Sequence, residues 1–174
     1  MDFFIMTPIN SHDDGMQLAL AEADKARLEN EVPIGAVIIC DNQIVASAHN
    51  TCEADKNPLQ HAEIKVLSLA AKNLGRWRLN DCTLYVTLEP CPMCLGALFQ
   101  ARIDKLVFGC ADSKRTMAPN GKNSSQSFIP GLIGKAELID NNHRLEITAG
   151  IKAKECSQIL KDFFRQKRGQ VPSH

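Results

Sequence analysis

Residues 83–109, TLYVTLEPCPMCLGALFQARIDKLVFG, decide how this chain is read. TLYVTL (83–88) has the β-branched and aromatic content of a buried strand. PMCLGALFQAR (92–102) is a helix opening on Pro92, which suits a first turn where the missing N–H costs nothing. KLVFG (105–109) is a second strand. Between the first strand and the helix sits Glu89-Pro90-Cys91-Pro92-Met93-Cys94.

Upstream, DGMQLALAEADKARLE (14–29) has Leu18, Ala21 and Leu28 at roughly helical spacing, with Asp13 or Asp14 placed to cap it. VPIGAVIIC (32–40) and QIVASAHN (43–50) flank Asp41-Asn42, a hairpin signal. HAEIKVLSLAAKNL (61–74) is a helix striped by Ile64, Leu67, Ala71 and Leu74, with Gly75 placed to end it. Downstream, residues 110–134 are rich in Gly, Pro, Ser and Asn without a sustained period, as in a long loop that is a functional lid or a mobile insertion. KAELI (135–139) and RLEIT (144–148) are strands. A helix over about 151–168 follows, with Ile159, Leu160 and Phe163 facing the core. A helix, a hairpin and then alternating helices and strands predict an α/β fold, a central sheet covered by helices on both faces. The 174 residues suit one domain, 1–174, with 1–12 expected to be flexible.

Composition narrows the function. A hydrophobic fraction of 44% and a charged fraction of 23% exclude wholesale disorder. Lys plus Arg and Asp plus Glu number 20 each, so nucleic acid is not bound by bulk charge, and any such contact needs a local basic patch. Lys161, Arg165, Lys167 and Arg168, against the single acid Asp162, offer one. No apolar run reaches the ~18 residues that span a bilayer, and MDFFIMTPIN lacks the pattern of a secretory signal, so no membrane association and a cytoplasmic location are expected. Seven unevenly spaced cysteines without such a signal favour reduced thiols over a disulfide framework.

Cys91-x-x-Cys94 alone admits a zinc half-site, a redox pair or coincidence. A redox pair prefers a thioredoxin-like context; here the dithiol follows a late strand, and His61-Ala62-Glu63 opens the preceding helix, which favours zinc. Residues i and i+3 share one side of a helix, so Cys91 and Cys94 converge at its first turn, where the dipole favours thiolates. In mid-helix His61 and Glu63 would diverge by about 200°; at a helix start both reach one site. Three ligands, His61, Cys91 and Cys94, leave a fourth position for water, as in a catalytic zinc, and Glu63 takes the released proton without being a ligand. The alternative is a closed structural site in which Cys82 or Cys110 supplies a fourth donor.

The same residues resemble the zinc-dependent cytidine and nucleobase deaminase superfamily, with its H-x-E…P-C-x-x-C signature. Within it, the chain is most similar to the bacterial tRNA-specific adenosine deaminase family. The likeness runs through Val32–Val37, Asn50, His61–Glu63, Thr83–Cys91, Cys94, Gly96-Ala97, Arg102-Ile103, Phe108-Gly109, Asn142–Arg144, Glu146–Thr148, Gly150-Ile151 and Asp162–Arg165. It implies a three-layer α/β/α cytidine-deaminase-like fold with a five-stranded mixed sheet, a homodimer, and one Zn²⁺ per chain carrying water or hydroxide. It further implies hydrolytic conversion of the wobble adenosine of a tRNA anticodon stem-loop to inosine, with release of ammonia. Asn50 would hydrogen-bond the base or its sugar and Ile34 would pack on the flipped base. Asp112 and Lys114 would contact RNA, and Phe163 with the basic tail would lie near the anticodon stem. The chain departs from the family in Gln60 and in residues 115–134. Its Cys91–Ala97 run is also typical of guanine deaminases. The alternatives are therefore a deaminase of a free base or nucleoside, and a zinc-stabilised RNA-binding module without catalysis; an intact Glu63 argues against the second.

Overall fold

The computed structural model of the chain describes residues 9, 11–112, 135–140 and 143–169, with 135–140 described in backbone alone. The elements run α1 (His12–Leu28), β1 (Gly35–Cys40), β2 (Gln43–His49), α2 (Ala62–Leu74), β3 (Cys82–Leu88), α3 (Pro92–Gln100), β4 (Lys105–Cys110), β5 (Lys135–Asp140), β6 (His143–Ala149) and α4 (Ala153–Gly169). The strands form one sheet in the order β2-β1-β3-β4-β6-β5. β3, β4 and β6 are parallel, while β1 runs antiparallel to β2 and β3, and β5 antiparallel to β6. The mixed three-layer fold is the expected one. Among the described residues the sheet has six strands, one more than the five the resemblance implies.

Period-two alternation assigns the layers. Ala36, Ile38, Leu84, Val86, Leu106, Phe108, Leu145 and Ile147 turn to one face, with Ala62 and Val66 of α2 and Leu98 of α3. Val37, Ile39, Tyr85 and Val107 turn to the other, with Met16 and Ala19 of α1 and Cys156 of α4. Asp41 and Asn42 have φ of 50° and 58°, as a two-residue type I′ hairpin turn requires. Gly75 ends α2 in the left-handed region at φ 64°. Gly35 lies directly beneath α1: a Cβ there would fall against the backbone of Ala19 and Ala23, so only glycine lets the helix sit this close.

Two expectations change. The cap of α1 is Ser11, whose hydroxyl accepts from the Asp14 N–H at 3.2 Å while the Asp14 carboxylate accepts from the Ser11 N–H at 3.0 Å. This capping box starts α1 ahead of Asp13, and Asp14 is its partner at the third helical position. The expectation of reduced thiols fails at Cys40 and Cys82, which form a disulfide. The β1–β3 register sets these residues opposite one another, with Cα atoms 4.4 Å apart at the sheet end remote from Cys91. Residues 113–134, most of the expected 110–134 loop, lie outside the described residues.

Candidate active site

The reacting end of the fold is the carboxyl edge of β3 and β4, the edge at which open α/β sheets bind ligands. β3 leads through Glu89 into α3, and the Glu89 N–H donates to the Cys110 carbonyl at 2.9 Å, tying the two strand ends together. His61 is the N-cap of α2 and Cys91 the N-cap of α3; both are extended (ψ 150° and 167°), and neither side chain caps its own helix. Residues that usually satisfy helix N–H groups are here replaced by two that reach sideways to each other. His61 Nδ1 lies 3.4 Å from Cys94 Sγ and 3.7 Å from Cys91 Sγ, and the two sulfurs are 3.5 Å apart. Among the described residues these three form the one cluster of donor atoms tight enough for a metal ion.

The donor chemistry fits a cation. One imidazole and two sulfurs match a zinc site, and two helix N-termini favour thiolates there. Glu63, in the first turn of α2, is 4% exposed, and its Oε2 has no hydrogen-bond partner among the described residues. Burial raises the Glu63 carboxyl above the usual carboxylate range, while the Cys91 sulfur and then burial raise the Cys94 thiol well above the usual thiol range. A divalent ion among these groups would favour their charged forms and offset that burial. Neither residue of the closed-site alternative belongs to the cluster: Cys82 is in the remote disulfide, and Cys110 donates to the Thr87 carbonyl at 3.5 Å. Burial pushes the Cys110 thiol up to about 11.

Beside the cluster opens a cavity of about 690 Å³. Ile34, Asn50, His61 and Asp112 line one part of it, and Lys161, Phe164, Arg165 and Arg168 of α4 line another. Asn50 is buried, its N–H donating to the Ile34 carbonyl at 3.0 Å. The Asp112 N–H donates to Glu89 Oε2 at 3.1 Å. His61, Cys91, Cys94, Glu63, Ile34, Asn50 and Asp112 thus converge on one end of the sheet. Phe163 does not join them. It is 5% exposed and turned inward, and its neighbour Phe164 takes the cavity position. Lys114 lies outside the described residues.

Several participants carry no motif. Phe164 was detectable in the sequence only through the i, i+4, i+7 stripe of Lys161, Arg165 and Arg168 beside it. Glu31, 1% exposed, accepts from Asn50, and Cys52 lines the cavity next to Asn50; no spacing pattern marks either. At the end of β2, His49 bridges Glu22 of α1 at 3.0 Å and Glu29 at 3.1 Å, anchoring the strand that delivers Asn50.

A sheet with helices on both faces and a His/Cys/Cys cluster beside a buried glutamate is the arrangement of a nucleobase deaminase, and residues 10–168 match the model of the MafB19-like deaminases. The chain is 41% identical to the tRNA-specific adenosine deaminase of Bacillus subtilis over 88% of either sequence. A solved structure from work on A-to-I editing by tRNA:A34 deaminases superposes with a TM-score of 0.65 at 32% identity, covering 84% of this chain and 98% of that one. A guanine deaminase from Nitrosomonas europaea superposes with a TM-score of 0.70 at 18% identity, covering 90% and 86%, a likeness of fold. The chain belongs to the tRNA-specific adenosine deaminase family. It is a hydrolytic deaminase.

Proposed function

We propose that the substrate is an adenosine at the first anticodon position of a tRNA, converted to inosine with release of ammonia. The carrying observation is the combination of the His61–Cys91–Cys94 cluster and buried Glu63, its Oε2 unpartnered, with a cavity whose α4 wall is basic. His61, Cys91 and Cys94 would hold one Zn²⁺, which when bound supplies a water activated at neutral pH. Glu63 would accept a proton from the attacking water, give it to the purine N1 as the water oxygen adds to C6, and pass the proton of the new C6 hydroxyl to the departing amine, so that one water enters and one ammonia leaves. Ile34 offers an apolar contact to the base and Asn50 a hydrogen bond. Phe164 offers a stacking face, and Lys161, Arg165 and Arg168 offer charge to phosphates. Asp112, on the cavity wall, offers a contact to the RNA, and the resemblance gives Lys114 the same role. The homodimer belongs to this reading as well; Leu59, Leu69 and Trp77, exposed in and beside α2, supply apolar surface for one. Among the described residues no helix is long and apolar enough to cross a membrane, which suits an enzyme acting on tRNA in the cytoplasm.

A basic wall serves an RNA backbone and has no task toward an uncharged free base. The test is incubation with an anticodon stem-loop carrying adenosine first in the anticodon, alongside free adenosine, cytidine, guanine and adenine. The expected outcome is an A-to-G change on sequencing the RNA, without ammonia from the small molecules. Ammonia from guanine with no change in the RNA would transfer the assignment to a free-base enzyme.

A further inference from the structure

Asn50 sits between two partners of opposite character. Its Nδ2 donates to Glu31 Oε2 at 3.0 Å, and its Oδ1 accepts the Cys52 thiol at 3.2 Å. The second oxygen of Glu31, Oε1, accepts the Ala54 N–H at 2.7 Å. A carboxylate only accepts and a backbone N–H only donates. Glu31 therefore has both oxygens committed as acceptors, and Asn50 has one amide orientation open to it, nitrogen toward Glu31 and oxygen toward Cys52 on the cavity wall. Burial, and then the charge of Glu31, hold the Cys52 thiol above its ordinary range, which keeps it a donor. A thiol is a weak donor, so a stronger one arriving with the substrate displaces it readily.

We propose that Glu31 is a positioning residue for the reaction: it fixes the flip of the Asn50 amide so that Asn50 presents an acceptor oxygen, selecting a substrate whose facing group is an O–H or N–H donor. This rests on the reading of Asn50 as a substrate contact. The chemistry makes a prediction that simple loss of packing does not. In Glu31→Gln the Ala54 N–H claims the new amide oxygen, so the new amide nitrogen faces Asn50, donor against donor, and the Asn50 amide turns round. In Asn50→Asp a second carboxylate faces Glu31. In the double variant the new amide nitrogen donates to the new carboxylate, whose other oxygen again offers an acceptor to the cavity.

The experiment measures kcat and KM on the adenosine stem-loop for the wild type, Glu31→Gln, Asn50→Asp, the double variant and Asn50→Ala, with zinc content and Tm for each. Each single substitution is expected to lower kcat/KM by about tenfold to a hundredfold, the effect of one mispaired buried polar group. Zinc is expected to stay near one per chain, and the double variant to exceed both of its parent singles. Losses that multiply in the double variant overturn the proposal, as does an unchanged Glu31→Gln beside an impaired Asn50→Ala. An unchanged Asn50→Ala removes the reading of Asn50 itself, and the role of Glu31 falls with it. Should Glu31→Gln lack a cooperative unfolding transition, recovery or loss in the double variant decides alone.

Discussion

Glu63 concentrates the chemistry into one side chain. A carboxyl oxygen that is buried and unpartnered costs folding free energy, of order 1–3 kcal/mol, and a fold keeps such a group only where something else engages it. Glu63 is near the three donors without being one of them, so its removal separates metal from turnover. Glu63→Ala is expected to lose about 10²- to 10⁴-fold in kcat, the range of a positioned acid–base group, while retaining about one zinc per chain and an undiminished Tm. Cys94→Ser is expected to lower zinc content and Tm together, because ligand loss is lost folding energy. Metal analysis and thermal unfolding on the same two preparations check both; a Glu63→Ala protein that loses its zinc would make Glu63 a ligand.

Helices α2 and α3 show what the sequence discloses about elements and what it withholds. Their starts were legible because Cys91-Pro92 and the His61-Ala62-Glu63 triplet have no better use than at a first turn, and Gly75 and Asp41-Asn42 name their own left-handed conformations. Less was legible where two neighbouring residues satisfy the same rule. The spacing points to Asp13 or Asp14 as the cap of α1, and the reciprocal bonds of Ser11 with Asp14 put it at Ser11 instead. Phe163 and Phe164 differ by about 100° around α4, within the tolerance of a periodicity reading, yet one enters the core and the other the cavity. The Cys40–Cys82 pair depends on strand register across 42 residues of sequence, which no local pattern encodes. The basic stripe of α4 carries its own prediction. Lys161→Glu with Arg168→Glu is expected to lower kcat/KM on the stem-loop and to flatten its dependence on salt, by about one unit of log–log slope for each phosphate no longer neutralised. A salt titration of both proteins reads this, and equal slopes would leave the stripe as solvated surface.

Across the whole molecule, the site depends on how tightly the two helical layers hold the sheet. Gly35 is the tightest point on the α1 side, and its N–H donates to Thr87 Oγ1 at 3.2 Å, next to the strand end that supplies Glu89. Gly35→Ala is expected to push α1 off β1, lowering stability by about 1–3 kcal/mol or more, a several-degree fall in Tm. Because Ile34 and Asn50 adjoin this point, KM should rise in the same variant. An unaltered Tm would show that α1 has slack.

The wall that carries Lys161 and Arg168 belongs to α4, far downstream of His61, Cys91 and Cys94. Polypeptides leave the ribosome amino end first. The nascent chain therefore carries all three donor side chains before the basic wall of the cavity has been synthesised.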